Sequence, residues 1–150
     1  GTLYKIDYKS GVKCARLASL GTEFNGLTFV PAGTIDATKE ILVGVALDGG
    51  WYRVDVASGA SSATLTKLGS YGSGYSSSGD AVGIIGDAVY ATVSTGFGGT
   101  DHVVTVDPKT GKVLKDLGDT PDLIAQIVGF VVPISFTNWY KERGDAVRPA

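Results

Sequence analysis

The fold is decided by Val103-Val104-Thr105-Val106-Asp107-Pro108-Lys109-Thr110-Gly111. An aspartate at the first position of a turn accepts hydrogen bonds from backbone N–H groups two residues on, and proline presets φ for the next position. Gly111 supplies the left-handed conformation that closes a bulged hairpin. Because a second short strand follows at residues 112–117, the stretch predicts a β-hairpin.

The same pattern occurs twice more along the chain. It reads Leu3-Tyr4-Lys5-Ile6-Asp7-Tyr8-Lys9-Ser10-Gly11 and Trp51-Tyr52-Arg53-Val54-Asp55-Val56-Ala57-Ser58-Gly59. The three aspartates stand 48 and 52 residues apart, and each turn reads Asp-x-x-(Ser/Thr)-Gly. A fixed period of this length indicates a repeated supersecondary unit. We therefore predict three equivalent hairpins, in which Trp51 aligns with Leu3 and Val103 and packs between sheets.

Pairs of strand-like runs lie between and after these hairpins. They cover residues 25–30 and 41–46, 81–85 and 88–93, and 127–132 and 134–137. The first run of each pair carries a central glycine, at Gly26, Gly83 and Gly129. Glycine inside a strand indicates close approach of another backbone, so we expect these runs to be crowded inner strands.

Hairpins and runs together predict an all-β chain of three four-stranded sheets, one of them split between the two ends of the chain. Four-stranded sheets repeated about every 40–50 residues are typical of a β-propeller. The predicted boundaries are an outer half-blade, two blades, an inner half-blade and a polar tail, at 1–21, 22–69, 70–118, 119–139 and 140–150. Residues 120–127 also fit a helix start, with Thr120 as cap and Pro121 at the first position, and this alternative stays open.

These turn residues also carry a family resemblance. Residues 3–7 and 107–111 resemble the β-propeller repeats found in many bacterial proteins, whose blades end Leu-Tyr-x-Ile-Asp-Pro-x-Thr-Gly. Residues 107–114 are similar to a quinoprotein-type repeat as well, although that repeat usually carries a tryptophan where this chain has Lys115. The resemblance covers about residues 1–138 and implies a propeller architecture. It also favours a secreted or periplasmic location.

A count of three blades has a consequence for assembly. A closed propeller typically has about 4–8 blades, so three blades make too small a ring. Open sheet edges invite pairing, and a symmetric dimer would satisfy them. We therefore expect a six-bladed homodimer, in which the last two strands of one chain complete the first sheet of its partner.

Composition excludes several classes of function. The net charge is −2 and no block of Lys or Arg occurs, so nothing indicates nucleic-acid binding. The longest apolar stretch, residues 123–136, is shorter than the roughly 20 residues of a membrane helix. Cys14 is the single cysteine, so no internal disulfide framework is expected. Since Met is absent, the sequence favours a processed, excised or designed chain.

One candidate site lies at the mouth of the predicted channel. Glu23, Asp80 and Gln126 each stand three residues before an inner-strand glycine. Their oxygens, doubled in a dimer, are ligands suited to Ca²⁺ or Mg²⁺. The alternative is a solvated polar funnel, since a metal needs convergent ligands, and we expect no tightly bound cofactor.

Other candidate residues lie in loops. Asp101 and His102 end the longest loop between blade strands, where His102 suits a ligand or base role. Tyr75 lies in a Tyr/Ser/Gly-rich link at residues 69–79, a composition shared by binding surfaces and flexible linkers. Trp139 has no aligned partner and is a candidate for stacking on a sugar. An exposed loop histidine without a role and ordinary aromatic packing are the alternatives.

The function we expect is a non-enzymatic β-propeller binding or scaffold module. Two alternatives remain open from the residues. One is a secreted propeller enzyme, a lyase or hydrolase with an axial metal, that would use Glu23, Asp80 and Asp101. The other is a lectin that would bind a glycan through Trp139, Tyr75 and the long loop.

Overall fold

The aspartate turns close hairpins. The computed structural model describes residues 1–9, 11–96 and 99–120. Within it, the Asp107 carboxylate accepts a hydrogen bond from the Lys109 backbone N–H at 2.9 Å. The Gly111 N–H donates to the Asp107 carbonyl at 2.7 Å, and Gly111 has a φ of 75°. Asp7 caps its turn in the same way through Lys9, so the predicted turn chemistry is confirmed at both positions.

The middle turn departs from this scheme. Both carboxylate oxygens of Asp55 bind the Arg53 guanidinium, at 2.6 and 2.9 Å. The turn itself is closed by a backbone bond from Ala60 to the Ala57 carbonyl at 3.0 Å. A nearby arginine competes successfully for the aspartate, because a bidentate guanidinium–carboxylate pair is stronger than a single bond to a backbone N–H.

The described residues contain ten β-strands and no helix. They are β1 (Thr2–Asp7), β2 (Lys13–Ser19), β3 (Gly26–Val30), β4 (Ile41–Val45), β5 (Gly50–Asp55), β6 (Thr64–Ser70), β7 (Ser76–Gly83), β8 (Val89–Ser94), β9 (Asp101–Val106) and β10 (Val113–Asp119). The all-β prediction is confirmed. In this part of the chain no helix is long and apolar enough to cross a membrane.

The strands form three antiparallel sheets. Sheet I contains β1 and β2, sheet II runs β3-β4-β5-β6, and sheet III runs β7-β8-β9-β10. Each strand pairs with its neighbour in sequence, and no sheet closes on itself in the described part of the chain. The prediction of three antiparallel sheets is therefore confirmed, with two, four and four strands in the described residues. The predicted runs at 127–132 and 134–137 and the predicted tail lie outside the described residues.

Strand β7 begins earlier than the sequence predicts. It starts at Ser76 rather than Ala81, inside the stretch interpreted as a link. Ser76 pairs with Ser94, Ser77 pairs with Val93, and a bulge separates this part from Ala81. Backbone pairing with β8 sets this boundary, so a Tyr/Ser/Gly composition that is typical of loops does not prevent a strand.

The core lies between sheets II and III. Val30, Val43 and Trp51 on sheet II and Val93 and Val104 on sheet III have no accessible surface. The Trp51 indole N–H donates to the Pro108 carbonyl at 2.9 Å, so the tryptophan of one sheet is held by the turn of the next. The predicted packing role of Trp51 is confirmed.

Sheets II and III also meet along their first strands. A Cβ atom on Gly26 would lie 2.7 Å from Asp80 Oδ1, and one on Gly83 would lie 2.5 Å from the Phe29 carbonyl oxygen. Both distances are too short for any side chain, so only glycine permits this spacing. The predicted close approach is confirmed at these two glycines, and Gly129 lies outside the described residues.

Sheet I contacts sheet II along their outer strands. The Ser19 N–H donates to the Ser61 carbonyl at 2.9 Å, and the Ala63 N–H donates to the Ser19 carbonyl at 2.8 Å. These bonds join the end of β2 to the segment that leads into β6. Sheet I therefore contacts the sheet that follows it in the sequence, as sheet II does.

Candidate functional site

Asp80 lies between the first strands of sheets II and III. Its Oδ1 atom accepts hydrogen bonds from the Leu27 N–H at 3.0 Å and from the Ala81 N–H at 2.9 Å. Leu27 belongs to β3 and Ala81 to β7, so one carboxylate oxygen joins the two strands. The geometry indicates a structural role for Asp80, because hydrogen bonds from backbone N–H groups to a carboxylate are among the stronger ones in proteins.

Glu23 does not occupy the position equivalent to Asp80, and the alignment that paired them is wrong. Gly26 is the first residue of β3, whereas Gly83 is the last residue of β7. Glu23 is exposed and precedes β3, while Asp80 lies within β7. The error arises because β7 is longer than β3 and contains a bulge, so the two inner glycines fall at opposite ends of their strands.

The proposed channel metal site stays a prediction. Gln126, one of its three predicted ligands, lies outside the described residues. Within residues 1–9, 11–96 and 99–120, no group of three or more His, Cys, Asp or Glu side chains is placed to hold a metal ion.

The candidate ligand residues Tyr75 and Asp101 have structural contacts. Tyr75 is partly buried and packs against the core between sheets II and III. The Asp101 carbonyl accepts hydrogen bonds from the Thr120 N–H at 2.7 Å and from its hydroxyl at 3.1 Å. This pair of bonds fastens the chain where it leaves β10. Trp139 lies outside the described residues, and the ligand-binding roles of these residues stay predictions.

His102 lies between two aspartates of the neighbouring strand. Its Nδ1 atom is 2.9 Å from Asp116 Oδ2, and its Nε2 atom is 3.2 Å from Asp119 Oδ1. Thr100 Oγ1 is 3.4 Å from Nε2. The imidazole is 17% exposed. We call His102, Asp116 and Asp119 the histidine clamp.

One carboxylate of the histidine clamp, that of Asp116, has a lowered pKa. The Gly118 N–H donates to Asp116 Oδ1 at 2.9 Å. This bond, followed by the adjacent His102 ring, lowers the pKa of Asp116 below its ordinary value of 3.8. Asp116 is therefore ionised at neutral pH and places a negative charge beside Nδ1 of the ring.

The shape of the clamp does not suit a metal ion. The two carboxylates approach opposite nitrogens of one ring, so their oxygens and a single nitrogen do not converge on a common point. A metal ion needs ligand atoms that do converge. The arrangement instead ties β9 to β10 at the edge of sheet III.

The sequence contained a signal for this clamp. His102 and Asp119 are directly opposite each other in the β9–β10 hairpin. Counting outward from the Asp107 turn brings these residues together, but bulges in β10 shift the register. The sequence analysis named His102 and Asp101 as candidates but did not find Asp116 or Asp119, because these two lie on the next strand of the sheet.

Comparison with known proteins gives no relative. No family model, no curated protein and no solved structure matches the chain. The resemblance to bacterial propeller repeats therefore depends only on the turn residues of the chain itself.

Proposed function

We propose that this chain is a β-propeller module that acts as a binding scaffold and completes its ring with a second copy of itself. The supporting features are repeated up-and-down sheets that lie face to face and meet along their first strands, β3 and β7. This is how blades are arranged around a propeller axis.

The incomplete state of sheet I carries the proposal. The Asp-turn repeat makes β1 the equivalent of β5 and β9, each of which pairs with two strands. In the described part of the chain β1 pairs with β2 on one edge, and its second edge is the one that β4 and β8 occupy beside β5 and β9. Such an edge is a template for further strands.

Two copies can pair the second edge of β1 within a ring of ordinary size, whereas one copy cannot. If the runs at 127–132 and 134–137 complete sheet I of the same chain, the ring has three blades, fewer than propellers usually have. If they complete sheet I of a second chain, two identical joints close a six-bladed ring. A symmetric dimer of this kind leaves no edge for further growth.

A scaffold role fits the charged groups of the described residues. Asp80 joins two sheets, and the Arg53–Asp55 pair and the histidine clamp bind residues of their own sheets. Asp80 and the histidine clamp each link two strands, as a rigid support for loops requires, and the Arg53–Asp55 pair fixes two side chains of β5.

The test is the solution mass of the full chain by light scattering over a range of concentrations. We expect a mass of twice the 15.4 kDa chain. A mass that stays at 15.4 kDa at every concentration overturns the proposal, because sheet I would then remain incomplete or be completed within one chain.

A further inference from the structure

Asn25 is followed directly by Gly26, and in such a pair the backbone nitrogen of the glycine readily attacks the asparagine side chain. Glycine has no Cβ atom to hinder this attack. The other asparagine of the sequence, Asn138, precedes Trp139, whose bulky side chain hinders it. We propose that Asn25 is a site of spontaneous deamidation, that the contact between sheets II and III protects it, and that deamidation loosens that contact.

The reaction uses only the chain and water. The Gly26 backbone nitrogen attacks Cγ of Asn25 and forms a C–N bond, while the side-chain amide nitrogen leaves as ammonia and takes the proton that Gly26 loses. The product is a cyclic succinimide. Water then opens the ring at either of its carbonyl carbons, which gives aspartate or isoaspartate, and no group is oxidised or reduced.

The packing of sheets II and III requires the glycine that makes this pair reactive. A Cβ atom on Gly26 would lie 2.7 Å from Asp80 Oδ1 and 3.0 Å from Asp80 Cα. Asp80 is itself fixed, because Oδ1 accepts hydrogen bonds from the N–H groups of Leu27 and Ala81. The close contact between β3 and β7 therefore brings with it a chemically labile asparagine–glycine pair.

The same contact holds the Asn25 side chain in an unreactive position. Its amide nitrogen donates to the Ser77 carbonyl at 3.2 Å, to Ser77 Oγ at 3.1 Å and to the Gly79 carbonyl at 3.4 Å. Its backbone N–H donates to the Val45 carbonyl at 2.7 Å. Ring closure must turn the side chain back onto its own backbone and rotate that backbone out of strand geometry, so it breaks these bonds. Asn25 therefore reacts when β3 separates locally from its neighbours.

Deamidation replaces a hydrogen-bond donor by an acceptor at this contact. A carboxylate at position 25 offers no N–H group to the buried Ser77 and Gly79 carbonyls. Buried acceptors that lose their donor destabilise the fold. Isoaspartate also adds a methylene group to the backbone, which shifts β3 relative to its partner β4. Each product therefore weakens the contact that protected the asparagine.

Peptide mapping by mass spectrometry tests the site and its protection in the full chain. The chain is kept at mildly alkaline pH in buffer and in guanidinium chloride, with the Asn138 peptide as internal reference. We expect Asn25 to deamidate faster than Asn138 in guanidinium chloride, and at least about tenfold more slowly in buffer, because local opening limits the folded chain. An unreactive Asn25 in guanidinium chloride overturns the site, and equal rates in the two solvents overturn the protection.

Two serines of β7 form a matched pair of variants. Ser77→Ala removes Oγ, an acceptor of the Asn25 amide, whereas Ser78→Ala removes a buried hydroxyl that has no hydrogen-bond partner in the described part of the chain. Losing one hydrogen bond should speed deamidation of folded Ser77→Ala about fivefold, and Ser78→Ala should react at nearly the wild-type rate. Equal rates in the two variants overturn the protective role of the Ser77 contact.

The product can also be introduced directly. Asn25→Asp and Asn25→Ala both lose the bonds donated to β7, but only the first adds a charge. We expect both variants to have lower midpoints of urea unfolding than the wild type at pH 7, with Asn25→Asp the lower of the two until the pH falls below about 4. A wild-type midpoint for Asn25→Asp overturns the loosening of the contact. None of these outcomes depends on a second copy of the chain.

Discussion

Gly111 shows how a single residue joins two sheets. Its φ of 75° is almost the same as the 76° of Gly59, which closes the equivalent turn in sheet II. A Cβ atom on Gly111 would lie 2.5 Å from Trp51 Cβ, while one on Gly59 would meet nothing within 4 Å. The two glycines therefore share a backbone requirement and differ in their surroundings.

This difference gives a prediction with an internal control. Gly59→Ala should lower the free energy of unfolding by about 1–2 kcal/mol, the cost of a left-handed alanine. Gly111→Ala should lower it by a further 1–3 kcal/mol or so, because the methyl group overpacks the Trp51 contact. Urea unfolding monitored by circular dichroism measures both values. Equal losses would show that the Trp51 contact does not constrain the turn.

At the scale of the strand pair, the histidine clamp makes the β9–β10 edge sensitive to acid. The folded chain lowers the pKa of Asp116 through the Gly118 N–H and the His102 ring. A carboxyl whose pKa is lowered by folding stabilises the folded state at pH values above 3.8, its ordinary pKa. This contribution is lost as the pH falls through the pKa of the folded state.

We therefore expect Asp116→Asn to destabilise the chain at pH 7 and to approach the wild type as the pH falls below about 4. Asp119→Asn is the control, because Asp119 contacts the same ring at 3.2 Å and accepts no backbone N–H bond within the described residues. Its destabilisation at pH 7 should be smaller. Urea unfolding from pH 7 down to pH 2.5 checks both variants, and parallel curves for Asp116→Asn and the wild type would refute the effect.

The same elements show how far sequence reasoning reaches. The aspartate turns and alternating strands predict the hairpins, because a turn and its flanking strands are local in sequence. The start of β7 at Ser76, the bonds of Asp80 to β3 and the clamp around His102 depend on pairing between distant segments. Bulges alter the count of residues along those pairings, and composition does not reveal where a bulge lies.

At the scale of the whole molecule, sheet I has exposed apolar side chains on both of its sides. Tyr4 and Ile6 are exposed on one side, and on the other side Phe29 of sheet II is exposed in a groove that Leu3 and Leu17 of sheet I also line. Apolar surface on both sides of one sheet favours association, because each contact removes further surface from water.

If a second copy covers these faces, thermal unfolding must depend on protein concentration. A tenfold higher concentration should raise the midpoint by about 2 °C for a dimer of this size. Phe29→Ser should reduce this dependence by removing apolar surface from the groove. Leu47→Ser is the control, since Leu47 is also an exposed apolar residue, at 69%, but does not line the groove that Leu3 and Phe29 share. Scanning calorimetry at several concentrations measures the slope for each variant. A midpoint that does not move with concentration, or equal slopes for the two variants, would contradict association through the surface around Phe29.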